Sequence, residues 1–149
     1  MLKNTKFFSI LIVALFSLNS YSQVIGVGIN TNDPKSTLDI NGNLSVKVLT
    51  INGGPGGAAT QINDGVYLSL NPTSGNREFI LPNAANVQGR IYILRNISGS
   101  ETALIYSFGG DFFSKDTSGV TTSPLNMPPN ALLKTVIVIS DGTNWTYIF

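Results

Sequence analysis

Few side chains in this sequence are equipped to do chemistry. Asp111 and Asp116 flank Phe112 and Phe113, and Asp141 opens the run Asp141-Gly142-Thr143-Asn144. Two carboxylates held across one cleft can hydrolyse a glycosidic bond, and the same oxygens can ligate calcium. Nothing in the spacing brings these aspartates into one cleft, and an Asp in a turn ordinarily accepts hydrogen bonds from its own backbone. The turn role therefore ranks ahead of acid–base or calcium chemistry. Histidine and cysteine are both absent, which removes Cys/His zinc sites and the Ser-His and Cys-His nucleophile pairs. The glycines around Pro55 lack the G-x-x-x-x-G-K-[ST] of a phosphate cradle, and no helical pattern follows them. No catalytic residue, cofactor or metal is expected.

Aromatic side chains are the other candidates. Trp145, Tyr147, Tyr92, Phe112 and Phe113 are the residues from which a ligand platform or a subunit interface would be built. An aromatic face can stack on a sugar ring, or it can pack a strand onto a core. Trp145 follows a tight turn beside the most hydrophobic stretch of the chain, which favours packing. Packing is expected of the others too, with an interface as the use of any that stay exposed. Asn96-Ile97-Ser98 and Asn144-Trp145-Thr146 match the glycosylation triplet, a pattern short enough to arise by chance.

These residues lie on a succession of short strand patterns. Residues 66–70 alternate, 71–75 turn, and 78–81 form the next strand. Residues 90–96 give the clearest period of two, with Ile91, Ile93 and Arg95 on one face and Tyr92, Leu94 and Asn96 on the other. A strand follows over 102–106, ended by Gly109-Gly110, and 117–130 reads as a surface loop with room for one short strand. Residues 131–140 are nearly continuously β-branched or aliphatic, which suits a strand covered on both faces. Asp141 and Gly142 then turn the chain into 145–149. Strands at this spacing with no helical period predict an all-β head over 64–149, an antiparallel sandwich or partly open barrel. The alternating aromatics that end on Phe149 also invite a membrane barrel, but the strands fall short of the roughly 9–11 residues needed to span a bilayer.

Ahead of the head, 23–51 reads as a small stalk and 52–63 as a Gly-rich hinge. Pro34, after Asn32 and Asp33, marks a turn. Asn41-Gly42 is a strong hairpin signal, with Leu38 and Ile40 before it and Leu44, Val46 and Val48 after it alternating with polar residues. The expected hairpin has one apolar face and cannot stand alone in water. Leu38, Ile40, Leu44 and Val46 are thus the expected core of a homotrimer, the alternative being a hairpin docked on its own head. At the other extreme, 1–22 carries Lys3 and Lys6, then an apolar run, then Ser20-Tyr21-Ser22: a signal peptide with its helix, cleaved before Gln23. Export to the cell exterior or surface follows, with no membrane span remaining after cleavage. Residues 23–149 hold seven basic and eight acidic side chains, a net charge of −1. That balance, without a basic cluster, argues against nucleic acid as a partner.

Two stretches resemble known families. Residues 26–46, GVGINTNDPKSTLDINGNLSV, resemble the G-I-G-T-x-x-P-x-x-x-L-D-V-N-G module of secreted, fibre-like bacterial surface proteins. Gly26, Gly28, Pro34, Leu38, Asp39, Asn41 and Gly42 match it, while Asn30 replaces Thr and Ile40 replaces Val. Leu81-Pro82-Asn83-Ala84, residues 89–96 and Ser140-Asp141-Gly142-Thr143-Asn144-Trp145 look like the head or tip domains of phage tail fibres, with Arg95 where Lys is common. The resemblances imply a trimeric β stalk carrying a β head that binds or caps, with no catalysis. The ligand would be a surface glycan or a protein. A monomeric carbohydrate-binding module is the alternative function, and a small glycan-active enzyme the third.

Overall fold

The computed structural model describes residues 26–149 except 122, so the expected signal segment falls outside the described residues. The described residues divide into two units, one ending at Leu44 and the other running from Ser45 to Phe149.

In the first unit, β1 (Val27–Ile29) pairs with β2 (Leu38–Ile40). The pairing is parallel, Val27 opposite Leu38 and Ile29 opposite Ile40. This corrects the expected hairpin: neither Asn41 nor Gly42 has positive φ, and no strand begins between Ile40 and Val48. Asn41 instead extends the ladder, its N–H donating to the Ile29 carbonyl at 2.9 Å. The left-handed residue is Asn30, at φ 57°, a conformation Asn tolerates better than most side chains. Gly28 packs so closely that a Cβ there would lie 2.3 Å from the Thr31 carbonyl oxygen. A Gly is therefore required beside the tight loop that returns the chain for parallel pairing.

The second unit is a two-layer β sandwich. In chain order its strands are β3 (Val48–Asn52), β4 (Gly54–Pro55), β5 (Thr60–Gln61), β6 (Tyr67–Asn71), β7 (Asn76–Leu81), β8 (Ile91–Asn96), β9 (Ala103–Ser107), β10 (Phe112–Ser114), β11 (Val120–Thr121), β12 (Leu125–Met127), β13 (Thr135–Ser140) and β14 (Trp145–Ile148). One sheet runs β11-β10-β14-β13-β8-β6-β3; the other runs β12-β9-β7-β4, with β5 also on β7. Both sheets are open, and no α-helix occurs among the described residues. The all-β expectation is met, but the pairing is mixed. β3–β6, β6–β8, β7–β9, β5–β7 and β10–β14 are parallel, and the rest antiparallel.

Three further expectations change. β3, expected in the stalk, is the edge strand of the larger sheet beside β6, so Val46 and Val48 lie in the second unit. The expected hinge carries β4 and β5, both hydrogen-bonded to β7. The 117–130 loop holds two short strands rather than one.

Alternation of burial builds the core. Leu68, Leu70, Tyr92, Leu94, Val136, Val138, Trp145 and Tyr147 face inward from the larger sheet. Phe79, Leu81, Ala103, Ile105, Leu125 and Met127 meet them from the smaller one. Asn96 ties the layers: its Nδ2 donates to the carbonyls of Glu101 and Met127 at 2.8 Å each, and its Oδ1 accepts from the Ser98 N–H at 2.9 Å. That buried amide has its polar atoms satisfied, so its burial carries no orphaned group.

Candidate functional site

The aromatic candidates are mostly structural. Trp145 is fully buried, 6.0 Å from the Tyr92 ring, and its indole Nε1 donates to Ser107 Oγ at 3.1 Å. Ser107 Oγ also donates to the Gly109 carbonyl and accepts from the Gly109 N–H, so the hydroxyl is saturated. Tyr92 and Phe112 are buried as well, and Tyr147 nearly so, its hydroxyl 3.2 Å from Thr121 Oγ1. A ligand platform needs an open face, and of the five only Phe113 keeps a partly exposed one. The packing role expected for Trp145 is what its surroundings provide.

The carboxylates are spread along turns. Asp111 precedes β10 and Asp116 follows it, so the strand separates them; Asp116 pairs with Lys115 at 3.7 Å. Among the described residues no three acidic side chains form a metal-holding group. Asp141 Oδ1 accepts the Asn144 and Thr143 N–H groups at 2.7 Å each. Those two bonds hold its carboxyl below the usual carboxylate range, that from Asn144 first. Gly142 beside it takes φ 96°, which closes the β13–β14 turn. The expected turn chemistry at Asp141 and Gly142 is in place. Asn144, the second glycosylation triplet's Asn, spends its Oδ1 on the Asp111 N–H at 3.0 Å.

A groove of about 540 Å³ lies on the outer side of the smaller sheet, lined among others by Ala58, Glu78, Ile80, Tyr106 and Phe108. Strand alternation sends Glu78, Ile80 and Tyr106 outward while Phe79, Leu81 and Ile105 go in. Phe108, 56% exposed, continues the outward series beyond β9. The Glu78 carboxylate accepts the Gly57 N–H at 2.9 Å and the Tyr106 hydroxyl at 3.3 Å. Partial burial, and then the Glu78 charge, push the Tyr106 hydroxyl's pKa up. An aromatic face, a phenol and a carboxylate thus share one depression. Sequence reasoning placed Tyr106 on the strand over 102–106, as core or as an interface if partly exposed, and did not single out Phe108. The signal was there in the period-two series Leu104, Tyr106, Phe108, but its face depends on which sheet covers β9.

The sequence-predicted stalk residues are largely open. Leu38 is 56% and Leu44 64% exposed, and Ile40 and Val46 are half-buried. On β1, Val27 and Ile29 are exposed too. Among the described residues no helix is long and apolar enough to cross a membrane. Compared with known proteins, the chain matches no family model, no curated protein and no solved structure.

Proposed function

We propose that this is an exported, non-enzymatic structural and binding protein: a homotrimer in which 23–44 forms the stalk and the β sandwich forms the head of a surface fibre or adhesin-like appendage. The observation that carries it is the uncovered apolar surface of the β1–β2 pair. Val27, Ile29, Leu38 and Leu44 are all exposed on or beside a pair of three-residue strands. Two strands of that length do not hold together in water without cover. Burying such side chains is worth roughly 1–2 kcal/mol each at about 25 cal/mol per Å². Identical chains around a threefold axis would supply that cover, and the motif resemblance of 26–46 and the apolar leader at 1–22 point the same way. Light scattering on purified 23–149 tests it. The expected mass is three times that of one chain, falling to one chain in a Leu38→Asp, Leu44→Asp double variant. A monomeric wild type at tens of micromolar overturns the reading.

The Glu78–Tyr106–Phe108 groove favours one second reading, a carbohydrate-binding module. Phe108 would stack on a sugar face while the carboxylate accepts hydroxyl donors. A glycan array with wild type and Phe108→Ala checks it: binding lost in the variant supports this reading, and no bound glycan removes it.

A further inference from the structure

We infer that the outer face of the seven-stranded sheet is a contact face between copies of this chain. The inference rests on the self-association proposed above and locates it on the head rather than on the β1–β2 pair alone.

The residue register draws the face. Val48, Tyr67, Ile93, Ile137 and Ile148 are successive cross-strand partners across β3, β6, β8, β13 and β14. Next to that row, Ile91, Ile139, Thr146, Phe113 and Val120 are partners across β8, β13, β14, β10 and β11. The two apolar rows, broken only by Thr146, each cross five strands and together reach from β3 at one edge to β11 at the other. Val48 is 61%, Val120 59%, Ile91 45% and Ile137 38% exposed, on a unit whose inward positions are nearly all dry. A third row, Thr50, Ser69, Arg95 and Thr135, borders them with polar groups. Arg95 is the sole charge among the outward strand positions of this sheet.

Size and composition decide what fits. The fourteen positions of the three rows, on strands about 4.8 Å apart and about 6.8 Å apart along each strand, cover roughly 450 Å² in projection. Scattered surface hydrophobics do not form such rows, and a stable contact needs about 800 Å² of accessible surface per partner, which corrugated side chains over this projection approach. The sequence carries the same message. The run Thr135-Val136-Ile137-Val138-Ile139-Ser140 is β-branched on both sides, the pattern of a strand covered twice, yet only Val136, Val138 and Ser140 are buried. An anionic lipid surface would call for several free basic groups around the patch. The outward strand positions offer Arg95 alone, and of the bases at the strand ends Lys47 pairs with Asp64, Lys115 with Asp116, and Lys134 bonds the Ser98 and Pro129 carbonyls, which leaves Arg90. Further copies of the chain bring what the face lacks: β-branched and almost uncharged rows against which its own can pack. Three copies that turn this face toward one threefold axis also bring no unpaired charge into the contact beyond Arg95 at the polar border.

Sedimentation velocity on 23–149 with an Ile91→Glu, Ile137→Glu double variant tests the face. Both side chains are open in the single chain, so the sandwich should keep its near-ultraviolet Trp145 signal while association weakens at least 100-fold. Leu104→Glu, on the outer side of the other sheet, should leave the mass unchanged. The chain has no cysteine of its own, so maleimide labelling of Ile137→Cys gives a second readout that does not require a charge. Labelling should slow at least tenfold between dilute and concentrated protein, while Asn126→Cys labels at one rate throughout. Association unaltered in the Glu variant, or concentration-independent labelling at position 137, overturns the inference. If Leu38→Asp, Leu44→Asp then dissociates the protein, the proposed function survives without this face. A wild-type monomer defeats both.

Discussion

Replacing Trp145 by Ala separates packing from ligand binding more cleanly than any other single change. Trp145 is fully buried against Tyr92 at the centre of the layer contact, and its indole N–H is bonded to Ser107. An indole buries about 200–250 Å², of which Ala retains a small part. Removing roughly 160 Å² at about 25 cal/mol per Å² gives about 4 kcal/mol, inside the usual 3–5 kcal/mol for a large aromatic cut back to Ala. The lost indole bond adds little, because Ser107 Oγ keeps both bonds to Gly109. For a unit of this size that translates into a fall in melting temperature of roughly 15–30 °C. Trp145→Phe should lose markedly less, since its ring still fills much of the site. Calorimetry on both variants, with a glycan array run in parallel, is the assay. A Trp145→Ala protein that melts within about 3 °C of wild type and loses glycan binding would refute the packing argument.

Four further outcomes follow from local geometry. Gly75 and Gly110 both need positive φ, at 82° and 89°, but a Cβ at Gly75 meets nothing while one at Gly110 lies 2.6 Å from the Thr143 carbonyl oxygen; Gly110→Ala should cost more than Gly75→Ala by at least about 1 kcal/mol in a denaturant titration. Asn96→Asp should destabilise by at least about 2 kcal/mol at neutral pH, because a carboxylate oxygen would face the Glu101 and Met127 carbonyls that Nδ2 now serves. Asp141 and Asp64 both have lowered pKa values, Asp141 from the Asn144 and Thr143 N–H groups and Asp64 from Lys47 and the Gly65 N–H. Their stabilisation is present above the ordinary carboxylate pKa of about 3.9 and is lost as pH falls through the lowered folded values, so melting temperature should drop with acid below about pH 4, less steeply in Asp141→Ala. N-terminal sequencing of exported protein should begin at Gln23 or within a residue or two, and an intact Met1 on it would contradict export by cleavage.

Strand identity and strand faces were legible wherever alternation was strict. The alternation of β8 correctly separated Tyr92, Leu94 and Asn96 from Ile91, Ile93 and Arg95, and the structure turns the first set inward. Asp141-Gly142 correctly marked the β13–β14 turn because that turn's hydrogen bonds come from the turn residues themselves. Pairing partners were not legible. β7 and β9 pair in parallel although neighbouring strand patterns suggested antiparallel neighbours, since partner choice is made by the whole core and not by either strand. Asn41-Gly42 misled for the same reason: its local preference for a hairpin gave way to the parallel ladder of Val27–Ile29 on Leu38–Ile40, whose tight return depends on Gly28 and Asn30. At the candidate groove, Glu78 and Tyr106 are brought together by the β7–β9 pairing across 28 residues of sequence, a proximity that no local pattern encodes. The β-branched run of β13 predicted cover on both faces, and the single chain covers one.

That unmet cover makes self-association the central claim, and sedimentation equilibrium of 23–149 over a range from about one to one hundred micromolar tests it most directly. The account predicts a species of three times the chain mass that dominates the upper part of the range and dissociates when the exposed apolar residues of β2 and β13 are replaced by acidic ones. A single-chain mass at every concentration would contradict it.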